Sequence, residues 1–196
     1  MPPCRARPAG HLVTRSACHD GEAGRPWALL TPYAEGPMGI VGTAHVGVCV
    51  ADVEEAVSWY RDILGLKVLS PPYLVEGADI EKDMGEMVPG VKLKGAIVGL
   101  GPSDHVLELI EYPAHPGSQR GRALTDPGIS HIGLLCDDLS QTRAELEQRG
   151  VRFLTSDRSG AGIAGLHTTW FEDPYGVVFI LMEKSDPSRP YWRQPS

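Results

Sequence analysis

Long apolar runs are missing from this chain. No stretch of its 196 residues approaches the roughly 20 apolar residues of a membrane-spanning helix, so no segment is a candidate span. A basic excess is missing too. Asp and Glu number 25 against 18 Lys and Arg, a net charge of −7. That balance argues against non-specific binding to nucleic acid or to an acidic membrane surface. Close cysteine pairs are also absent. Cys4, Cys18, Cys49 and Cys136 form no C-x-x-C motif. Cys49 and Cys136 fall in apolar, strand-like runs and read as small buried thiols in a reducing, cytoplasmic setting. Sustained periodicity is lacking in residues 1–37, "MPPCRARPAGHLVTRSACHDGEAGRPWALLTPYAEGP". Secretory signals need an apolar core, which is not there, and the prolines spoil the amphipathic helix of a transit peptide. The expectation is an extension outside the fold, with Met38 as an alternative start. Residues 185–196 read as a polar tail broken by prolines, with Tyr191 and Trp192 as groups able to dock on the body.

What remains says one thing twice. "HVGVCVADVEEAVSWYRDILGLKVL" begins at His45 and "HIGLLCDDLSQTRAELEQRGVRFL" at His131. Superposed, His45 falls on His131, Gly47 on Gly133, Asp52 on Asp138, and Val53 on Leu139. Each copy reads as strand, helix, strand. Asp52 and Asp138 are the expected helix N-caps, and Gly65 and Gly150 the expected stops. "KGAIVGLGPSDHVLELIEYP" and "LHTTWFEDPYGVVFILME" each read as a hairpin. The fold class is therefore α+β. Two βαβββ modules, in a pseudo-twofold arrangement, are expected to form an eight-stranded, cup-shaped sheet. Module one spans 40–112, a linker 113–127, and module two 128–184, within one domain over 38–184. An insert confined to module one carries Glu76, Asp79, Glu81, Asp83 and Glu86. Such a run is ordinarily a solvated surface, with a short helical lid as its functional alternative.

Strand side chains alternate between faces. Val46, Val48 and Val50 form one apolar face suited to packing under the helix, which puts His45, Gly47 and Cys49 on the other. In module two, Ile132, Leu134 and Cys136 face the helix, and His131, Gly133 and Leu135 face away. Both histidines thus sit on the non-helix face. In "VLELIE", Glu108 shares a face with Val106 and Ile110, and an acid alternating into an apolar face is costly unless paired or metal-bound. Two imidazoles and one carboxylate suit a divalent transition metal with open positions.

The motifs "HVGVCVADVEEAVSWYRDILGLKVL", "LELIEYP", "GISHIGLLCDDL" and "DPYG" resemble the vicinal oxygen chelate superfamily of glyoxalases, bleomycin-resistance proteins and extradiol dioxygenases. The resemblance covers about Gly39 to Glu183. It implies metal ligands at His45, Glu108 and His131, a small oxygenated substrate, and a homodimer. The metal is one of Fe, Zn, Ni, Co or Mn. The reaction is of lyase, isomerase or dioxygenase type. Non-catalytic binding of a small molecule, in the bleomycin-resistance style, is the alternative. Family members commonly carry a fourth ligand, a glutamate on the last strand. Here "ELIE" at 108–111 aligns with "ILME" at 180–183, so Ile180 takes that slot and Glu183 matches Glu111. Glu108 then doubles as the catalytic carboxylate. His167 and His105 are candidate bases by residue type and location. A chain beginning at Met38 should melt within about a degree of the full chain, because the composition of 1–37 supplies no core. Calorimetry of the two chains checks this.

Overall fold

The structure, a computed structural model, describes residues 42–101, 105–118, 123–156 and 165–195. The extension at 1–37, Met38 and the linker arginines Arg120 and Arg122 lie outside the described residues. Module one runs β1 (His45–Cys49), α1 (Val53–Asp62), β2 (Lys67–Val75), α2 (Ala78–Met84), β3 (Leu93–Gly99) and β4 (Val106–Glu111). Module two runs β5 (Ile132–Cys136), α3 (Leu139–Gln148), β6 (Arg152–Phe153), β7 (Leu166–Glu172) and β8 (Val178–Lys184). The strand orders are β1-β4-β3-β2 and β5-β8-β7-β6, the same topology twice. The α+β class and the paired βαβββ modules are as the repeat predicts. The strands make two separate four-stranded sheets rather than one continuous sheet.

Both helices start as their caps dictate. The Asp52 side chain accepts from the Glu55 N–H, and Asp138 from the Gln141 N–H, each at 2.8 Å. A second carboxylate serves each helix from the neighbouring strand. Glu111 Oε2 accepts from Val53 N at 3.1 Å, and Glu183 Oε2 accepts from Leu139 N at 2.8 Å. Anionic oxygens at a helix N-terminus satisfy free N–H groups and complement the helix dipole. After each helix the chain turns at a glycine with positive φ, Gly65 at 71° and Gly150 at 87°, a conformation open to a residue without Cβ.

The insert is not all loop. Strand β2 continues through Pro71 and Pro72 to Val75, two register shifts absorbing the residues that have no partner on β3. Proline lacks the N–H a ladder needs, so it is tolerated on an edge strand and at bulges, and β2 is both. Helix α2 buries no residue, and the five acidic side chains of the insert are exposed, as a solvated surface requires. Glu81 ties the insert back by accepting from the Gly90 and Val91 N–H groups at 3.3 and 3.1 Å.

One core runs through both modules, from Val48, Val53 and Tyr60 to Leu139, Phe171 and Phe179. Phe171 and Phe179 stack at 5.1 Å, and Tyr60 of α1 meets Phe179 edge-on at 6.2 Å. The Tyr60 hydroxyl, fully buried, donates to Asp173 Oδ2 at 2.6 Å. Asp173 also accepts from the Tyr175 and Val177 N–H groups, so one carboxylate shapes the Asp-Pro-Tyr-Gly turn and grips the other module. Arg149 adds a second tie, donating to the Asp62 and Ile63 carbonyls at the end of α1. Cys136 packs against the core, and burial pushes its thiol up to about 11. Cys49 is exposed, contrary to the buried reading. Alternation puts it with His45 and Gly47 on the face away from the helix.

Burial raises the Asp173 carboxyl above its ordinary 3.8, with the Tyr60 hydroxyl and the backbone donors opposing that rise. A raised folded-state pKa means this group's share of stability is complete below the unfolded value and is lost as pH rises through the folded one. Tyr60→Phe removes a donor to the ionised form. It should lower stability by about 1–3 kcal/mol. The deficit should be smaller in acid and reach full size once Asp173 is ionised. Urea denaturation of both proteins across pH measures this.

Candidate functional site

The parallel β1–β4 ladder sets His45 beside Val106 and Gly47 beside Glu108. Leu107 and Leu109 are buried under the helix, so alternation turns Glu108 to the face that carries His45. There the two side chains meet, His45 Nε2 to Glu108 Oε2 at 3.0 Å. The histidine side chain is half exposed at 49%, and the glutamate largely covered at 22%. The carboxylate's other oxygen is also engaged. Tyr73 Oη donates to Glu108 Oε1 at 3.0 Å.

Module two builds the matching position differently. The β5–β8 ladder sets Gly133 beside Ile180, as β1–β4 sets Gly47 beside Glu108. Ile180 therefore stands where module one has its carboxylate. A Cβ at Gly133 would lie 2.9 Å from Met182 Cε, the movable end of a flexible side chain, so a larger residue there would ask that methyl to shift. His131 Nδ1 shares a 2.7 Å hydrogen bond with Ser130 Oγ, and its ring meets Trp170 edge-on at 4.8 Å. One histidine is held by a carboxylate, the other by a hydroxyl and an indole.

His45 and His131 line the same cleft of about 450 Å³, at the N-terminal ends of β1 and β5. Val46, Val98 and Leu134 give it apolar walls, and the exposed His105 lies at its margin. Two donors bound about 2.0–2.1 Å from one ion at right angles stand roughly 3 Å apart. The His45–Glu108 separation of 3.0 Å meets that requirement. Ser130 at Nδ1 leaves Nε2 of His131 as the ring nitrogen that could take an ion, and a partner on the second ring nitrogen is what ligating histidines commonly have. The structure does not draw all three together. Among the described residues, the acid, histidine and cysteine side chains gathered within 4.8 Å as a threesome are Asp52, Glu54 and Glu111. Those three sit at the start of α1, where Asp52 and Glu111 cap the helix and Lys94 neutralises Glu54 and Glu111.

His167 goes elsewhere. On β7 it shares parity with the buried Thr169 and Phe171, and it stands opposite Glu183 in the β7–β8 ladder. It is exposed on the helix side, whereas Trp170 beside His131 belongs to the other face. Glu183 is likewise on the helix side, capping α3, so the last-strand carboxylate is engaged away from the histidines. Neither Tyr73 nor Ser130 carries a signal in the sequence that marks it for the site. "PPYLV" reads as a loop, and only the pairing of β2 with β3 shows that its tyrosine crosses toward β4. Ser130 is legible only as the residue preceding His131.

Comparisons with known proteins agree with this architecture. The family model described as Glyoxalase/Bleomycin resistance protein/Dioxygenase superfamily matches residues 42–181. A probable chloroplastic lactoylglutathione lyase of Arabidopsis thaliana is 26% identical over 148 residues, covering 74% of this chain and 37% of that protein. The chain thus spans well under half the length of this curated relative. A glyoxalase family protein of Bacillus cereus superposes with a TM-score of 0.66 at 15% identity, covering 78% of this chain and 100% of that one. The trypanothione-dependent glyoxalase I of Leishmania major superposes with a TM-score of 0.51 at 21% identity, covering 72% of this chain and 86% of that one. At these identities the two structures speak for the fold.

The position of Glu183 generates a prediction. Glu183→Ala removes an acceptor from the first turn of α3 and should lower stability by about 1 kcal/mol. It should leave affinity for divalent metal at the wild-type value, because the side chain faces away from both histidines. Urea denaturation and a metal titration of the same protein separate the two effects.

Proposed function

The chain belongs to the glyoxalase/bleomycin resistance protein/dioxygenase superfamily, and from that premise we propose a metal-dependent enzyme of the lyase or isomerase type that moves a proton between adjacent carbons of a small oxygenated molecule. The observation that carries this reading is the His45–Glu108 pair, 3.0 Å apart on the face away from the helix. His45 and Glu108 would hold a divalent ion from module one, and His131 would supply the third ligand from module two. When bound, such an ion acts as a Lewis acid toward carbonyl and hydroxyl oxygens. The rest is done by the chain. Glu108 accepts a proton from the carbon beside a carbonyl and returns it to the neighbouring carbon, so the product is an isomer of the substrate. His167, on the other face, has no part in this reading.

Hemithioacetals of 2-oxoaldehydes are the substrate class we place here. A partial relative is named a lactoylglutathione lyase, and proton transfer in such an adduct converts it to a hydroxyacyl thioester. Ile180 in place of a fourth ligand leaves three protein donors and more open positions. Leu100 and Ile129 line the cleft yet are 64% and 73% exposed. A second copy of the chain is the partner this reading assigns to them.

His45→Ala and His131→Ala should each weaken metal binding about 100-fold or more, exceeding the usual effect of changing an outer partner. Ile180→Glu should melt lower than wild type without metal, because a carboxylate is then partly buried and unpaired, and regain stability with metal by linkage. Metal titration, melting with and without a chelator, and incorporation of solvent deuterium into hemithioacetal products test the reading. Binding of such compounds without deuterium incorporation would assign the chain to the non-catalytic binders instead.

A further inference from the structure

Tyr73 is the residue whose placement the fold works hardest to secure. Pro71 and Pro72 precede it on the edge strand and donate no N–H to the ladder. From Ser70 to Tyr73 the strand advances three residues while its partner advances two, from Ile97 to Gly95. A bulge of this kind re-aims the side chain that follows it. The ring then lies directly over residue 95. A Cβ there would stand 2.6 Å from Tyr73 Cζ and 2.7 Å from its hydroxyl oxygen, so only glycine admits the ring. Passing over β3, the hydroxyl reaches Glu108 Oε1 on β4 at 3.0 Å.

We infer that Tyr73 is a positioning residue that anchors Oε1 of Glu108 through one lone pair and turns Oε2 toward His45 as its one oxygen for the ion, which leaves the second lone pair of Oε1 for the proton the reaction moves. The inference rests on the metal-site reading above and deepens it. A carboxylate free to rotate can present either oxygen or both. With Oε1 held by the hydroxyl, Glu108 contributes one oxygen to the ion, and the positions not taken by protein stay open for substrate. Among the described residues, module two has no equivalent. Its ladder offers Ile180 at the matching point, with Trp170 beside it.

The test uses the full chain loaded with Co²⁺, whose visible absorption reports coordination number and whose affinity is measured by competition with a chelator. Wild type should bind Co²⁺. Tyr73→Phe should bind about 10- to 100-fold more weakly and show an altered visible band, as loss of an outer-shell partner typically does. Gly95→Ala should reproduce both effects, because the added Cβ displaces the ring while the hydroxyl itself is retained. In a Glu108→Gln background, Tyr73→Phe should change the affinity less than twofold, since the two residues act as a unit. Should Gly95→Ala fail to fold, Tyr73→Phe and its double variant decide the matter. No Co²⁺ binding by wild type overturns the metal reading and this inference with it. Wild-type affinity and an unchanged band in Tyr73→Phe overturn the inference alone.

Discussion

The two histidines come from different modules, so everything at the cleft depends on how firmly one module is fixed against the other. That fixing is done by the buried hydrogen bond from Tyr60 to Asp173, backed by the edge-on contact of the Tyr60 ring with Phe179. Hydrophobic contact alone is non-directional and tolerates sliding. A hydroxyl that must find one carboxylate oxygen in a water-free interior does not, because the unpaired alternative carries the full desolvation cost. Asp173 is itself locked by the turn it shapes. The chain of constraint thus runs from a tight turn in module two, through one side-chain oxygen, to the helix that packs on β2, β3 and β4, the last of which carries Glu108.

Much of this was legible in the sequence because it follows from periodicity. The paired histidines, the aspartate caps, the glycine stops and the assignment of Glu108 and Glu183 to opposite faces all derive from a two-residue or a 3.6-residue repeat. Those periods are local, and the internal duplication supplied a check on each. What escaped reading depends on departures from periodicity. Two prolines made β2 look finished at Leu69, when it continues to Val75 as a bulged edge strand. Tyr73 was lost with it. Cys49 illustrates a different failure. Its parity was read correctly, but its burial was inferred from residue type, and parity gives the exposed side. His167 was picked by residue type and its place near a strand start, without the alternation that puts it beside Thr169 and Phe171.

Duplication followed by divergence explains the chemistry of the two halves. The backbone hydrogen-bonding is repeated closely, down to Glu111 and Glu183 serving the first turns of their helices. Side chains on the opposite face have parted. Module one presents a histidine, a carboxylate and a phenol in series. Module two presents a histidine against an indole, next to an isoleucine. Of these side chains the two histidines line the shared cleft.

The shape of β2 has a consequence for how copies of this chain meet. Every sheet with an open edge can be extended by a strand from a neighbour, and that is the common route to fibrous aggregates. One outer edge here is β2, where Pro71 and Pro72 interrupt the row of amide donors. Another is β6, only two residues long, Arg152 and Phe153, and β1 and β5 are the remaining edges of the two sheets. Neither β2 nor β6 offers the uninterrupted template that strand addition requires. The prolines that steer Tyr73 inward also blunt this margin of the sheet against polymerisation.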